Sequence, residues 1–518
     1  MTASYGDWEP VIGLEVHVQL MTRTKLFCGC RTSFGDPPNT HVCPNCAGLP
    51  GALPVLNDAA VRLAVRAALA LGCTVHEESV FSRKNYFYPD LPKGYQISQF
   101  DRPLATDGVL EVEVQGQKLT CGIQRIHMEE DAGKTIHGKG STSVVDLNRA
   151  GTPLIEIVGH PDMGSAAQAG AYLRKLRDIL VFAGVSDGNL EQGSFRADSN
   201  VSVRKKGDPQ LGTRTELKNI NSFKFVEEAI DLEIRRQIRH VEGGGRVRME
   251  TRGYAADRKE TYSMRDKENE AGYRYFPEPD LRPLRVEASS LAVIQKETPE
   301  LPEAKRARYV AELGITPQAA AVLTSHREIA RLFEEGLALV EEAMASLTDT
   351  ERATKRTERM QKLANLIQAE VLRDAVMTAS TADFGVTARQ LVDLQDLVEE
   401  GTISGKQAKE VYAKLGRNTC ASPREVVKEL GLAVIRDEGA LLEIARGVVA
   451  ANAKQAASFR AGKEQLLGFF VGQIMKQTGG SASPQLASDL ARRALAESAA
   501  EGALADGPDG ADRGSGNG

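Results

Sequence analysis

Acidic and histidine side chains interrupt segments of this sequence that otherwise have the pattern of β-strands. Residues 13–20 alternate without a break, so Glu15 and His17 share one face of a predicted strand and the apolar residues share the other. Residues 153–158 predict an apolar strand that contains a single carboxylate, Glu156. A carboxylate in such a setting should be paired, protonated or bound to a metal ion.

A third segment, residues 123–134, ends a predicted strand with a histidine, three consecutive acids and a lysine. Such a run repels itself unless a cation or water covers it. Glu129 and Glu130 point to opposite faces of an ideal strand, so both reach a metal only at a bulge or a strand end, and residues 131–133 supply a predicted end. We therefore predict that five side chains converge on divalent cations: Glu15, His17, Glu129, Glu130 and Glu156.

Four of the seven cysteines lie close together, as Cys28 and Cys30, then twelve residues, then Cys43 and Cys46. Two close cysteine pairs on turns suit tetrahedral thiolate coordination, and four cysteines close the site, which predicts a structural zinc and not a catalytic one. The alternative is a loop with four unligated thiols, because Cys-x-Cys is a less usual spacing than Cys-x-x-Cys. This use of cysteine indicates a reducing compartment.

Cationic side chains in two places suit an anionic substrate. Residues 83–95 combine cations, aromatic rings and turn formers, which suits a nucleotide or an RNA end, but a packed aromatic turn with solvated lysines explains the pattern equally well. Later predicted strands carry cations that either neutralise phosphates around a magnesium cluster or form surface ion pairs. These cations are Arg196, Arg204, Arg214 and Lys218.

Composition bounds the class of protein. The chain has 518 residues, of which 42% are hydrophobic and 26% charged, as expected for a globular protein of about three or four domains. Its sequence has no long apolar run and no leader-like segment before Trp8, which predicts a cytoplasmic protein that neither spans a membrane nor is exported. The formal net charge of −5 excludes a generally basic nucleic-acid binder, so any RNA contact must use a local patch.

The elements that must position these side chains change character along the chain. Residues 105–160 alternate with period two and predict an antiparallel sheet, whereas helical periodicity dominates past about residue 292. We predict an α+β catalytic domain over 1–292, an all-α domain over 293–407, a small all-α tail domain over 408–500 and a disordered tail over 501–518. The tail domain has 13 lysines and arginines against nine acidic residues, a bias that suits RNA docking or an ordinary solvated surface.

Two kinds of motif are missing from the sequence. It has no G-x-x-x-x-G-K-[ST] loop and no G-x-G-x-x-G after a predicted strand, so ATP, if used, must be held by a sheet-and-metal site. It also has neither an isolated cysteine in a glycine-rich elbow nor a Gly/Ser-rich amidase run, which are typical of enzymes that release ammonia from an amide.

Taken together, the motifs closely resemble the B subunits of the aspartyl/glutamyl-tRNA amidotransferases. The resemblance extends over nearly the whole chain to about residue 500, and several of its motifs exceed eight residues. It is carried by the four cysteines and by six segments: 13–20, 83–98, 127–134, 148–158, 195–204 and 273–281.

This resemblance implies a cradle-shaped catalytic domain related to glutamine synthetase, a helical domain and a tail domain that holds the body of the tRNA. It implies that ATP phosphorylates the side-chain carboxylate of Glu or Asp mischarged on tRNA(Gln) or tRNA(Asn). Ammonia from an amidase A subunit then displaces the phosphate, and the two larger subunits are bridged by a small C subunit.

The same resemblance implies roles for individual residues. Magnesium ligands would be Glu15, His17, Glu129, Glu130 and Glu156, with Glu130 and Glu156 also counted as catalytic, and the four cysteines would bind zinc. Lys84 lies in the matching cation-and-aromatic motif as a catalytic and ATP-binding candidate, alongside Arg196 and Arg214. Histidine is an unusual ligand for magnesium, so a softer ion next to His17 is an alternative.

Two other functions compete with the amidotransferase subunit. An ATP-dependent ligase that acts on a free small carboxylate would use the same kind of site, but it has no need of a basic helical tail. A non-catalytic RNA-binding scaffold would explain the tail, but a scaffold gains nothing from burying Glu15, His17, Glu130 and Glu156.

Overall fold

The computed structural model describes residues 5–137, 142–266, 270–345, 348–378, 381–416, 421–432, 438–478, 482 and 484–505. Contacts within the chain divide it into two compact units, Met1–Lys305 and Arg306–Gly518. The predicted boundaries at 292/293 and 407/408 stay predictions.

Sixteen of the described strands belong to the first unit, and twelve of them form one sheet. In chain order they are β1 (Trp8–Gln19), β2 (Thr74–Val75), β3 (Glu78–Ser79), β4 (Phe81–Asn85), β5 (Tyr95–Gln99), β6 (Ala105–Val114), β7 (Gln117–Glu130), β8 (Lys134–His137), β9 (Ser143–Asp146), β10 (Pro153–Gly159), β11 (Phe195–Lys205), β12 (Thr215–Leu217), β13 (Glu250–Ala255), β14 (Glu260–Asp266), β15 (Phe276–Pro277) and β16 (Leu284–Arg285).

The large sheet has the order β14-β13-β12-β11-β1-β10-β7-β5-β4-β15, with β6 also paired to β7 and β2 to β6. Its pairings are antiparallel except for β12 with β13, which are parallel, so the prediction of a purely antiparallel sheet is corrected to a mixed sheet. The reason is a helix between these two strands, because parallel neighbours require a crossover connection. β3 pairs with β16 and β8 with β9 in two small sheets.

Helices α1 (Asp58–Ala70), α2 (Ala166–Phe182), α3 (Phe223–Glu242) and α4 (Ala288–Glu297) belong to the same unit. α2 packs on β6 and α3 on β11. α1 begins after Asn57, whose side chain accepts a hydrogen bond from the Ala59 amide, and ends before Gly72, whose φ of +66° suits glycine. The predicted helices over 57–72 and 165–183 are therefore confirmed, whereas α3 was not predicted from the sequence.

The alternation of β1 separates the two faces of the sheet as predicted. Leu14, Val16 and Val18 are fully buried in the hydrophobic core of the unit. Glu15 and His17 lie on the other face. His17 is opposite Arg196 of β11 on one side and opposite Glu156 of β10 on the other. The sheet thus brings polar side chains from distant parts of the sequence into one row.

The second unit consists mainly of helices, and α5 (Pro302–Leu313) contains the division between the units. The others are α6 (Pro317–Leu323), α7 (Arg327–Ala343), α8 (Asp349–Leu366) with a π-helical continuation over Ile367–Val371, α9 (Leu372–Asp374), α10 (Ala388–Glu399), α11 (Gly405–Leu415), α12 (Pro423–Glu429), α13 (Glu438–Ala451), α14 (Ala453–Arg460), α15 (Leu467–Gln477) and α16 (Pro484–Ala505).

This unit has one hydrophobic core between Tyr309 and Val427 and another between Leu441 and Leu495. A two-stranded sheet, β17 (Val376–Met377) with β18 (Ala382–Asp383), corrects the prediction that this region is all α. Because α16 extends to Ala505, the first five residues of the predicted disordered tail are helical, and 506–518 lie outside the described residues. Among the described helices, not one has the length and apolar character needed to cross a membrane.

Candidate functional site

Three of the five predicted metal ligands meet on the polar face of the large sheet. Potential ligand atoms of His17, Glu129 and Glu156 all lie within 4.8 Å of one another. His17 Nε2 is 3.3 Å from Glu156 Oε2 and 3.6 Å from Glu129 Oε1. Strand pairing places a fourth side chain here, since His127 is opposite Glu156 and its Nε2 lies 3.2 Å from Glu156 Oε2.

The acidic and histidine side chains of this group stabilise one another in their charged forms. Burial raises the pKa of Glu156, but the two imidazoles more than offset burial, and the net pKa lies well below the ordinary value. The pKa of Glu129 is lowered in the same way, with His127 as the largest favourable contact. Burial lowers the pKa of His127, yet the carboxylates of Glu156 and Glu129 raise it to about 9. Burial and the same carboxylates act likewise on His17, whose pKa is raised.

The donor set suits a divalent cation. Two carboxylates and an imidazole at separations of 3.3–3.6 Å match ligands around one ion, which lie about 3 Å apart when each is about 2.1 Å from the metal. His127 Nδ1 is buried and has no hydrogen-bond partner among the described residues. A group of two carboxylates and two imidazoles accepts magnesium through its oxygens and a softer ion through its nitrogens.

The other two predicted ligands, Glu15 and Glu130, lie outside this group. Glu15 is on the same face, two positions before His17, and its Oε1 accepts a hydrogen bond of 2.8 Å from Asn200 Nδ2. Glu130 lies on the opposite face, where its carboxylate pairs with Lys93 and accepts a bond of 2.9 Å from the Ile97 amide. The structure therefore does not bring Glu130 to the candidate metal group. The reason is that β7 continues to Glu130, and adjacent side chains of a strand point to opposite faces.

Lys84 lies beside the candidate metal group, on β4. Its ammonium is 4.9 Å from the centre of the Tyr273 ring. Burial lowers the pKa of Lys84, but nearby charges, first among them the carboxylate of Glu129, leave the net pKa raised. The neighbouring Arg83 pairs with the buried Glu278 at 2.7 Å. Arg83 and Lys93 form ion pairs within the protein, so the lysine at position 93 is not solvated as the packed-turn interpretation expected, and contact of the 83–95 stretch with a nucleotide or an RNA end stays a prediction.

The structure separates the two arginines that were predicted to contact ATP. Arg196 lies opposite His17 and lines a cavity of about 1210 Å³. Arg214 is exposed in the segment before β12 and does not belong to that cavity lining. Lys218 is paired with Asp198 at 2.7 Å, the ion-pair alternative that the sequence left open.

The cavity opens at the end of the polar face next to the candidate metal group. Gln19, Arg196 and Asp198 line it from the sheet, and Lys134 and Arg149 line it from the segments around β8 and before β10. Its lining includes Gln19 and Arg196 but not His17, so the cavity adjoins the candidate metal group without containing it. Its lining contains five cationic and five acidic side chains, so charges of both signs face the cavity.

The four cysteines of the predicted zinc site come together, with Sγ atoms within 4.8 Å of one another. Cys46 Sγ lies 3.7 Å from Cys43 Sγ and 4.0 Å from Cys30 Sγ, close to the separation of about 3.8 Å that follows from tetrahedral Zn–S bonds of about 2.3 Å. A hydrogen bond from Cys28 lowers the pKa of the Cys46 thiol to about 4, and the buried Lys25 ammonium acts in the same direction. The same hydrogen bond raises the pKa of Cys28, and burial raises that of Cys30 to about 11, so the fit to a metal rests on the spacing of the four sulfurs. The cluster therefore fits zinc.

Sequence reasoning missed several residues of this region. His127 and Asp131 follow the same period-two pattern as Glu129, and that pattern, read two positions in each direction, was a sufficient signal for both. Lys93 was noted only as one cation of the 83–95 stretch. Arg149 lies in a turn before β10, and nothing in its local sequence indicates that its guanidinium reaches residues 131–133.

The fold and this site define a class: a mixed α/β protein with a candidate metal centre, an arginine-lined cavity and a cysteine cluster. The family model described as the GatB/GatE catalytic domain matches residues 10–292, and the one described as the GatB domain matches residues 349–495. The chain belongs to the GatB family, which confirms the resemblance predicted from its motifs.

Relatives with high identity extend over almost the whole chain. The B subunit of an aspartyl/glutamyl-tRNA(Asn/Gln) amidotransferase from Geotalea uraniireducens is 50% identical over 94% of this chain and 99% of the relative. Proteins of the same name from an Anaeromyxobacter species and from Geobacter sulfurreducens are 50% and 49% identical over 95% and 94% of this chain, and over 99% of each relative.

Proposed function

We propose that this chain is the B subunit of a tRNA-dependent amidotransferase, a ligase of translation that converts Glu-tRNA(Gln) or Asp-tRNA(Asn) into Gln-tRNA(Gln) or Asn-tRNA(Asn). The observation that carries this proposal is the group of His17, Glu129 and Glu156 beside a cavity that Arg149 and Arg196 line, in a chain that aligns with the named subunits over almost its whole length.

The reaction we propose has two steps. ATP transfers its γ-phosphoryl group to the side-chain carboxylate of the aminoacyl-tRNA, which gives ADP and an acyl phosphate. Ammonia then attacks the acyl carbon, inorganic phosphate leaves and the amide forms. Phosphoryl transfer of this kind requires positioning and charge stabilisation and little covalent participation by the protein.

The residues present fit these needs. His17, Glu129 and Glu156 would hold a magnesium ion, which supplies charge stabilisation to the phosphoryl oxygens when bound. Lys84 keeps its proton next to the carboxylates and would stabilise negative charge from the side of β4. Arg196 would face the phosphates from the cavity. The assignments of Glu15 and Glu130 as magnesium ligands, and of Arg214 as an ATP contact, stay predictions.

Partners and setting belong to the same proposal. Ammonia would come from an amidase A subunit, and the two would be bridged by a small C subunit, which agrees with the missing amidase motifs in this sequence. The helices between Leu441 and Leu495, with their modest basic bias, would dock the tRNA. The mixed sheet of the first unit would be a cradle of the glutamine synthetase type, the cysteines would hold a structural zinc, and the enzyme would be cytoplasmic.

The experiment that tests this function measures phosphate release from labelled ATP by the assembled amidotransferase, with and without mischarged Glu-tRNA and Asp-tRNA. Glu156→Gln should lower tRNA-dependent release by at least about a hundredfold, as the loss of a ligand at a metal centre for phosphoryl transfer would. The matched control is Glu113→Gln, the same change at an exposed position of β6, which should behave as wild type.

The same assay separates the competing functions. Release that ignores tRNA but responds to free glutamate would replace the proposal with a small-molecule ligase. Absence of release in the wild type, with tRNA binding intact, would make the chain an RNA-binding scaffold.

A further inference from the structure

The buried carboxylate of Asp131 pairs with two arginines that line the cavity, although Asp131 itself is not part of the lining. Its Oδ1 is 3.1 Å from Arg196 Nη2, and its Oδ2 is 3.7 Å from Arg149 Nε. Oδ2 also accepts a hydrogen bond of 2.8 Å from Gln19 Nε2. The Asp131 side chain is 5% exposed, whereas about a third of each arginine side chain is exposed to the cavity.

Both guanidinium groups keep donors for a ligand. An arginine has five N–H donors, and among the described residues Arg196 uses one of them, toward Asp131. Arg149 donates from Nε to Ala132 O and from Nη2 to Gly133 O. Asp131, Arg149 and Arg196 together have one more cation than anion, although Asp198 lines the same cavity and also acts on Arg196. Arginine forks match the oxygens of a phosphate.

The position of this group relates it to the candidate metal centre. Asp131 is two residues after Glu129 on the same side of the chain, about 7 Å along an extended strand. Arg196 is the cross-strand neighbour of His17. The two guanidiniums therefore lie within the length of a nucleotide phosphate chain, or of a tRNA 3′ phosphate with its sugar, from the metal ligands.

We propose that Asp131 is a positioning residue that holds Arg149 and Arg196 as a two-guanidinium site for a phosphate group. This inference rests on the proposed function, and the phosphate belongs either to ATP or to the 3′ end of the tRNA. Asp131 does not touch the substrate. It pairs with two arginines that would otherwise repel each other and adds to the two backbone carbonyls that hold Arg149, so that the donors that both arginines keep stay available at the cavity.

The alternative role for Asp131 is simple neutralisation, and the two roles predict effects of opposite sign. If Asp131 only reduces the positive charge, Asp131→Asn makes the cavity more cationic and lowers the KM for the phosphate-bearing substrate. If Asp131 positions the arginines, Asp131→Asn leaves two partly buried guanidiniums without their shared anion, and the KM rises.

The test uses the assembled amidotransferase and measures kcat, KM for ATP and KM for mischarged tRNA, with the melting temperature of each variant. Asp131→Asn should raise one of the two KM values about tenfold to a hundredfold, the range for loss of a charge-assisted hydrogen bond, while kcat changes far less. The substrate whose KM rises identifies the source of the phosphate. Asp131→Glu, which keeps the charge, should recover part of the loss.

A second variant and a control keep the outcome clear if Asp131→Asn folds poorly. Arg196→Lys keeps the charge but loses the fork, and it should raise the same KM. Asp162→Asn removes an exposed carboxylate that accepts a bond from the Gly122 amide away from the cavity, and it should leave both KM values unchanged.

Two results would overturn the inference. One is a KM that falls in Asp131→Asn, and the other is a pair of variants, Asp131→Asn and Arg196→Lys, with both KM values equal to those of wild type. In either case wild-type phosphate release that depends on charged tRNA would leave the proposed function standing. Wild-type enzyme without such release would instead contradict the proposed function.

Discussion

The two candidate metal sites found among the described residues are built in opposite ways. His17, Glu129 and Glu156 project from three strands of a continuous sheet, whereas the four cysteines lie on turns with little regular structure around them. Strand pairing fixes the first group whether or not an ion is bound, because each side chain is held by its neighbours in the sheet. The cysteine loop has no comparable frame and depends on its ligand.

This difference suits the two sites to different roles. A group preorganised on rigid strands, beside a cavity, suits chemistry, since its geometry is present before the substrate arrives. A closed set of four thiolates leaves no open coordination position and suits the stabilisation of a loop. Changes at the cysteines should therefore lower stability, whereas changes at the candidate metal group should lower activity. Metal removal should show this difference most strongly.

Removal of metal should have the largest effect on stability, and it should act through the cysteines. Cys43→Ser breaks the four-thiolate set and should lower the stability of the first unit by several kcal/mol, because binding of a structural zinc contributes directly to folding. Glu156→Gln should change the melting temperature far less while abolishing activity. Calorimetry of both variants with zinc analysis checks this, and an unchanged melting temperature in Cys43→Ser would contradict a structural role.

Glu129 and Glu130 are adjacent but differ in the same way, one lying in a candidate functional site and the other in a structural contact. Glu129 faces the candidate metal group, and Glu130 faces the largely buried Lys93. Lys93→Met should destabilise the protein by about 3–5 kcal/mol, because it leaves the Glu130 carboxylate buried without its partner. Lys175→Met is the control: its partner Glu303 is largely exposed, so the loss should stay within about 1 kcal/mol. Denaturant unfolding measures both, and equal effects would refute the distinction.

In the metal-free protein, the stability that the candidate metal group contributes should depend on pH. The pKa of His127 is raised from 6.5 to about 9, so its contribution to stability is complete below pH 6.5 and is lost as the pH rises through about 9. The raised pKa of His17 acts in the same sense as that of His127. The lowered pKa values of Glu129 and Glu156 act in the opposite sense, and their contribution is lost in acid. Metal-free wild type should therefore lose about 2–3 kcal/mol of stability between pH 6.5 and 9.

His127→Gln provides the check on this pH dependence. It removes the titrating imidazole and should reduce the loss of stability between about pH 6.5 and 9. Urea unfolding in the presence of a chelator measures the free energy of unfolding at each pH. A slope that persists unchanged in the variant would show that another group is responsible.

The sequence was sufficient for some of these features because they are local. Strict alternation over residues 13–20 predicts which side of β1 is buried, and the cysteine spacing predicts the cluster. Lone Glu156 in an apolar strand had to have partners, and it has two imidazoles. Glu130 does not join His17, Glu129 and Glu156, because β7 continues regularly through Glu130 without the bulge that would bring its side chain to the same face.

Other features depend on contacts between residues far apart in the sequence, which local sequence patterns do not predict. The parallel pairing of β12 with β13 follows from α3 between them, and the apolar positions of that helix, Val226, Ile230 and Ile234, were not recognised as a helical period. Asp131 and Arg149 come together only because β7 and the turn before β10 are neighbours in the folded sheet. No spacing within either segment indicates that contact.

The smallest effect that still distinguishes the two sites is expected at Asn57. Its Oδ1 caps α1, and its Nδ2 donates to Thr24 O at 3.1 Å and to Lys25 O at 3.2 Å, so that it anchors the segment that leads to Cys28. Asn57→Ala should lower stability by about 1–2 kcal/mol and speed the loss of zinc to a chelator. The KM and kcat of the amidotransferase should not change.

Asn57→Asp is the matched control, because it keeps the capping oxygen, replaces the donors to residues 24 and 25 with a carboxylate oxygen and adds a negative charge that is favourable at the N-terminus of α1. If the anchor matters to the cysteine loop, Asn57→Asp should retain the stability of the helix and still lose zinc faster than wild type. Zinc release from Asn57→Asp at the wild-type rate would mean that the cysteines hold their loop without help from α1. The cysteine site would then be as self-sufficient as the sheet site, and the contrast between them would rest on the coordination position alone.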